Sequence, residues 1–161
     1  MPVKVITPSD LAALSRAAVI NQRRRQNLNL HRDDADPCQR LFNAVEPGSY
    51  IRPHRHSNPP KPETFLVVQG GFALFLFDDQ GVVSQVLHLA PDGPAVAVDL
   101  PAGAWHTIVA LEPGSIFFEA KPGPYAALTD KDFAPWAPEE GSDGVPAYLE
   151  MLYAALLDAE L

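Results

Sequence analysis

The sequence predicts a mainly β domain, a jelly roll or small barrel, with one helix before it and one after it. Three observations carry this reading. About eight short apolar stretches follow one another between residues 39 and 121, at the spacing of short-stranded β folds. Turn-forming groups such as Glu46-Pro47-Gly48, Gly70-Gly71 and Pro101-Ala102-Gly103 separate them, in a chain that holds 17 Pro and 10 Gly. Helical spacing of apolar residues is confined to the two ends.

The elements follow in order. Thr7 can cap a helix, Pro8 suits the first helical position, and Asp10 stands three residues after the cap. Leu11, Leu14 and Ala18 then recur at helical spacing, which predicts a helix over 7–23. Arg23, Arg24 and Arg25 would form its solvated end, with anion binding as the sharper alternative. Residues 26–37 are polar, end in Asp-Pro and read as a loop. Strands are expected over 39–46, 49–56, 63–69, 71–78, 82–89, 95–100, 105–111 and 115–121, and together form a barrel over 39–121. The run from Phe72 to Phe77 is nearly all apolar, as in a strand covered on both faces. Residues 122–144 are irregular and Pro-rich, and a second helix is expected over 145–158, with Leu149, Leu152, Tyr153 and Leu156 on one face.

Composition narrows the function classes. A chain of 161 residues, 47% hydrophobic and 20% charged, reads as one globular domain over 1–161. Its 12 basic residues against 20 acidic ones give a formal charge of -8, which argues against a nucleic-acid or anionic-membrane partner. No apolar run approaches the roughly 20 residues that span a bilayer. The start lacks the apolar middle of a signal peptide, and the single Cys excludes an internal disulfide. A cytoplasmic setting follows as the expectation. Cys38 itself, following Pro37 and with no base beside it in sequence, reads as a small buried apolar residue.

Chemistry concentrates in four residues. His54 and His56 are two apart in an expected strand, so alternation sends both to one face. Glu63 opens the next strand, after a Pro-rich loop, and His106 follows the turn Pro101-Ala102-Gly103. If the strands close into a barrel, three imidazoles and one carboxylate converge, a donor set suited to a divalent first-row metal. The bland alternative is two surface His and a third in the core.

Gly48-x5-His54-x-His56-x6-Glu63-x6-Gly70 resembles the first motif of the cupins, and Pro101-x-Gly103-x2-His106 resembles the second. Six residues stand between His56 and Glu63 where three or four are usual. Ala110 stands where Asn is usual, and Ala95 where the leading Gly is. A closer resemblance, from about residue 25 to the last helix, is to the WbuC-type cupin-fold metalloproteins. It rests on Asp36-Pro37 with Gln39-Arg40-Leu41, Arg52-Pro53-His54-Arg55-His56, Lys61-Pro62-Glu63, the segment 101–106, and the segment 129–138 that includes Asp130. The resemblance implies a double-stranded β-helix with one zinc, iron, nickel or manganese ion on His54, His56, Glu63 and His106. It also implies a homodimer and hints at surface-polysaccharide chemistry.

Four more residues are candidates for binding a small-molecule ligand. Strand parity puts Arg52 and Tyr50 on the face of His54, where Arg52 could clamp a carboxylate or phosphate, or else pair with Glu119 or Asp99. Lys61 lies in the loop before Glu63, and His31 in the N-terminal loop could cover the mouth or sit on the surface. Trp105 should point away from the metal, Phe65 and Val67 inward, and Phe133 and Trp136 should pin the tail or wall the ligand. His88 reads as a strand residue with no ligand role. Three functions fit: a metal-dependent lyase, isomerase or hydrolase on a small polar or sugar-derived molecule, an iron-dependent dioxygenase, or a metal-dependent binding or sensing module without turnover. A metal-free sugar epimerase fits less well, because it leaves two of the donors unexplained. A general base beside the ion would favour catalysis, and Glu119 is the candidate.

Overall fold

We describe residues 2–129 and 131–159 in a computed structural model of the chain. Asp130 lies outside the described residues. The first helix, α1 (Pro8–Ile20), begins as its sequence demands: Thr7 accepts from the Asp10 amide while the Asp10 carboxylate accepts from the Thr7 amide. It ends at Ile20, three residues short of the expected end, so Arg23 and Arg24 belong to the turn that follows and Arg25 to the first strand. Arg24 there has φ 55.

Eight strands follow: β1 (Arg25–Asn29), β2 (Cys38–Val45), β3 (Glu63–Gln69), β4 (Phe72–Phe77), β5 (Val83–Leu89), β6 (Ala97–Leu100), β7 (Trp105–Ala110) and β8 (Ser115–Pro122). They form a five-stranded sheet in the order β1-β2-β8-β3-β6 and a three-stranded sheet in the order β5-β4-β7, all neighbours antiparallel. A second helix, α2 (Val145–Ala159), closes the chain.

Two expectations need correction. Residues 26–37 are not all loop, because Arg25–Asn29 adds an edge strand to β2. An edge strand has a neighbour on one side and Leu28 alone to bury, so its polar sequence carries no alternation to read. Conversely, 49–56 is no regular strand. Pro53 has no amide to donate, and the segment makes only isolated bridges, His54 with His106 on β7 and His54 with Phe133 in the tail. Cys38, at the open end of β2 opposite Pro122, is exposed rather than buried.

Alternation along the strands divides the apolar residues among three layers. Val45, Phe65, Val67, Phe72, Leu74 and Phe117 fill the space between the sheets. On the outer face of the three-stranded sheet, Ala73, Phe75 and Phe77 meet Leu152 and Leu156 of α2 and Ala134 and Ala137 of the tail. On the outer face of the five-stranded sheet, Ala44 and Ile116 meet Leu14 and Ala18 of α1. The apolar run of β4 is thus covered on both faces, as its sequence requires.

The Pro-rich tail is pinned at two points. Trp136 packs tilted at 4.9 Å against Phe77 and edge-on at 6.0 Å against Trp105, over Gly81 (φ +86), where a Cβ would come within 2.5 Å of its ring. Further on, Arg23 grips Glu140 through two bonds of 2.7 and 2.9 Å, and Arg25 adds one of 3.1 Å. The Arg23 bonds foremost, helped by Arg25, outweigh burial and hold the Glu140 carboxyl down at about 2. A carboxyl lowered in the fold contributes stability above its ordinary value of 4.5 and loses it as pH falls from there toward about 2. Glu140 is 38% exposed, so the latch contributes less than about 1 kcal/mol. A small release of the tail, followed by Trp136 fluorescence between pH 5 and 2, is expected in the parent and missing from Glu140→Gln; identical acid titrations would contradict it.

Candidate metal centre

Backbone hydrogen bonds bring the four donors together. The His54 amide donates to the His106 carbonyl and the His106 amide donates back, both at 3.0 Å, which fixes the two side chains next to each other. Gly103, at φ +83, turns the chain before β7 and donates its amide to the His56 carbonyl at 3.1 Å. One turn therefore sets both His56 and His106. The longer loop before Glu63 folds on itself through a Ser57–Pro60 bridge, and Glu63 still begins β3, opposite Leu100.

The candidate ligand atoms of His54, His56, Glu63 and His106 all lie within 4.8 Å of one another. Glu63 Oε1 is 2.9 Å from His56 Nε2, and Oε2 is 3.0 Å from His106 Nε2. Yet His56 Nε2, His106 Nε2 and Glu63 Oε2 are buried and make no aligned hydrogen bond. Nδ1 of His54 bonds the Arg52 carbonyl and Nδ1 of His106 the Ala104 carbonyl, each at 2.9 Å. A carbonyl can only accept, so Nδ1 donates and Nε2 of the neutral ring presents a bare lone pair. Lone pairs and a carboxylate aimed at one buried point repel unless a cation stands among them. The donor set fits a divalent ion.

The charge states agree. Burial foremost, then the neighbouring His106, pushes the His54 imidazole down to about 3, so it stays neutral. Burial would raise the Glu63 carboxyl, yet it lies below the usual range, ionised, with the Lys121 ammonium beside it. Lys121 donates to Glu63 Oε1 at 3.2 Å and lies 2.7 Å from Glu119 Oε1. Burial foremost, with Glu63 nearby, raises the Glu119 carboxyl against the pull of Lys121. Glu119 also accepts from Asn43 at 3.2 Å.

Two hollows give access. An inner one of about 140 Å³ is lined by His54, Glu63, His106, Glu119 and Lys121, with Phe65 among its apolar walls. An outer one of about 320 Å³ adds His56, Lys61 and tail residues around Leu128. Glu119 thus faces the interior. Lys121, two residues on along β8 and on the same face, went unnoticed in the sequence, although the parity that exposes Glu119 to the cavity also places it there.

The other candidates disperse. Lys61 is buried at the outer hollow and bonds the Pro124 carbonyl. Arg52 lines a third hollow of about 640 Å³ beside His54 and Phe133, with its guanidinium 5.2 Å over the Phe133 ring and one bond to the Ala134 carbonyl. It pairs with neither Glu119, which holds Lys121, nor Asp99, which accepts from Thr64. Tyr50 does not share the face of His54. Its hydroxyl donates to the Pro138 carbonyl at 2.7 Å, because strand parity does not extend through the irregular segment 49–53. His31 is buried against the Arg40 backbone and lines a side hollow with Asn27, Asn29 and Lys121, so it is neither a surface residue nor at the centre. Trp105 points away, its indole donating to Asp79 at 3.1 Å, and His88 sits on β5 opposite Ala73. Arg23 and Arg25 do not form a free anion site, since Glu140 occupies them.

Comparison with known proteins places the fold. The model of a family described as a domain of unknown function (DUF6016) matches residues 6–89, a span that holds His54, His56 and Glu63. No curated protein matches the chain. Among solved structures, a conserved protein of unknown function from Streptococcus pyogenes is similar at 16% identity and TM-score 0.53, covering 78% of this chain and 92% of its own. KdgF from Halomonas sp. is similar at 22% identity and TM-score 0.50, covering 66% of this chain and 85% of its own. The likeness is one of architecture: the two facing sheets are a cupin jelly roll. Among the described residues, no helix is long and apolar enough to cross a membrane.

Proposed function

The chain belongs to the family of the domain of unknown function DUF6016, and we propose that its centre holds one divalent metal ion for an enzyme acting on a small polar or sugar-derived molecule. The observation that carries this is the set of buried, unbonded Nε2 and carboxylate atoms aimed at one point. A divalent ion bound there supplies Lewis acidity and, if six-coordinate, open positions for a ligand.

The chain's own residues do the rest. Backbone carbonyls orient His54 and His106, and Lys121 orients Glu63. Glu119 stands in the inner hollow with the ion's ligands, bonded to Lys121 and Asn43, where it can hold or take a proton from a bound molecule. This placement favours turnover over a binding or sensing module. The WbuC-type resemblance, the link to surface polysaccharide, the homodimer and the cytoplasmic setting belong to this proposal. Zinc, iron, nickel and manganese are equally compatible with the donors.

Elemental analysis of the purified protein tests the centre: about one equivalent of a first-row metal is expected, and a metal-free protein that takes none up on titration would refute it. Arg52, whose buried Nε makes no hydrogen bond, is the proposed clamp for a carboxylate or phosphate of the bound molecule. Arg52→Ala should leave metal content unchanged and weaken ligand binding about tenfold, the loss of one charge-assisted bond; an unaltered calorimetric isotherm rejects the clamp.

A further inference from the structure

Lys61 is the least expected charge in this molecule. It is 7% exposed, and among the described residues no carboxylate pairs with it; its ammonium meets the Pro124 carbonyl. Buried ammonium groups are costly without an opposite charge. The chain as a whole carries -8, so acidic residues are not scarce. The carboxylates near the outer hollow are nevertheless engaged elsewhere. Glu63 and Glu119 hold Lys121, Asp132 accepts from Thr129 and Ser57, and Glu140 binds Arg23 and Arg25.

Lys61 and Lys121 line the same outer hollow, which also reaches His54 and His56. Two ammonium groups on one cavity repel each other unless an anion lies between them. With an ion on the four donors, Glu63 and Glu119 do not balance the charge of the ion and Lys121 together, and Lys61 adds to the excess. The interior is then positive inside an acidic protein, and it draws in the sign of charge that the surface repels.

We infer that the outer hollow is an oxyanion seat: the molecule bound at this centre carries a carboxylate or phosphate group placed against Lys61 and Lys121. This rests on the proposed metal centre for the second end of the molecule, but the lysine seat is separable from it. Lys61 would supply a point charge with rotatable donors, suited to an oxyanion rather than to a neutral hydroxyl.

The test is calorimetric titration of metal-loaded protein with malonate, with its neutral diamide malonamide, and with inorganic phosphate. At least one of the two anions should bind ten times more tightly than malonamide, and which of them does so tells carboxylate from phosphate. Lys61→Met should lose at least tenfold of that affinity at unchanged metal content, and Lys61→Arg should retain most of it. Equal affinity for malonamide and both anions, or full anion affinity in Lys61→Met, overturns the seat. Should Lys61→Met fail to fold, Lys61→Gln, which keeps a donor for the Pro124 carbonyl and removes the charge, carries the same expectation. Repeating the titrations after dialysis against a chelator separates the two readings. Lysine-dependent anion binding in a protein that takes up no metal sinks the metal centre alone, and metal uptake without anion preference sinks the seat alone.

Discussion

The His106→Ala protein is expected to bind its metal about 100- to 1,000-fold more weakly and still fold. A four-donor structural site is worth roughly 10–16 kcal/mol, so one donor accounts for about 3–4 kcal/mol, and that loss sets the ratio. His106 suits the test because its side chain and its backbone have separate jobs. The imidazole is 3% exposed and faces Glu63 at 3.0 Å, while the amide and carbonyl carry the bridge to His54 that any residue can make. Ala keeps the bridge and removes the donor. Competition against a colorimetric chelator gives the affinity, and circular dichroism checks the fold. The rise in melting temperature that metal gives the parent should shrink accordingly. Parent-like metal affinity in a folded variant is the result that contradicts the centre.

Phe75→Ala is expected to cost about 3–5 kcal/mol of stability, the usual range for removing a buried aromatic side chain. Phe75 is 0% exposed, on the central strand of the smaller sheet, and faces Leu152 and Leu156. In a domain of this size that is a fall in melting temperature of roughly 6–20 °C. The measurement is thermal or denaturant unfolding followed by circular dichroism. A loss below about 1 kcal/mol would mean that α2 does not pack on this sheet as described.

Much of this architecture is legible in the residues. Glu63–Gln69 is bounded as expected because Pro62 and Gly70 punctuate an alternating run, and α1 begins where Thr7, Pro8 and Asp10 require. The cluster of His54, His56, Glu63 and His106 is legible in part, since the Gly103 turn before β7 and Pro62 before β3 are local signals. What was hidden depends on distance along the chain. The Arg23–Glu140 pair spans 117 residues, and Arg25 becomes a strand residue because β2 offers it an edge. Neither partner is visible from the arginine run itself. Tyr50 turns away from His54 because parity does not run across Pro53, where no regular strand exists. Lys121 gains its surroundings from the tail, whose residues 125–128 line the outer hollow with it.

The short run of backbone from Pro53 to Arg55 is shared. On one side His54 pairs with β7; on the other the Pro53 carbonyl accepts from the Ala134 amide and the Arg55 amide donates to the Asp132 carbonyl. Filling the ion site and seating residues 132–134 therefore stiffen the same few peptide units. Any effect of one event on the other is reciprocal. If the proposed ion and ligand bind as described, a ligand that enters past Leu128 and Phe133 and loosens that flank would also loosen the grip on the ion, which would make the two binding events coupled.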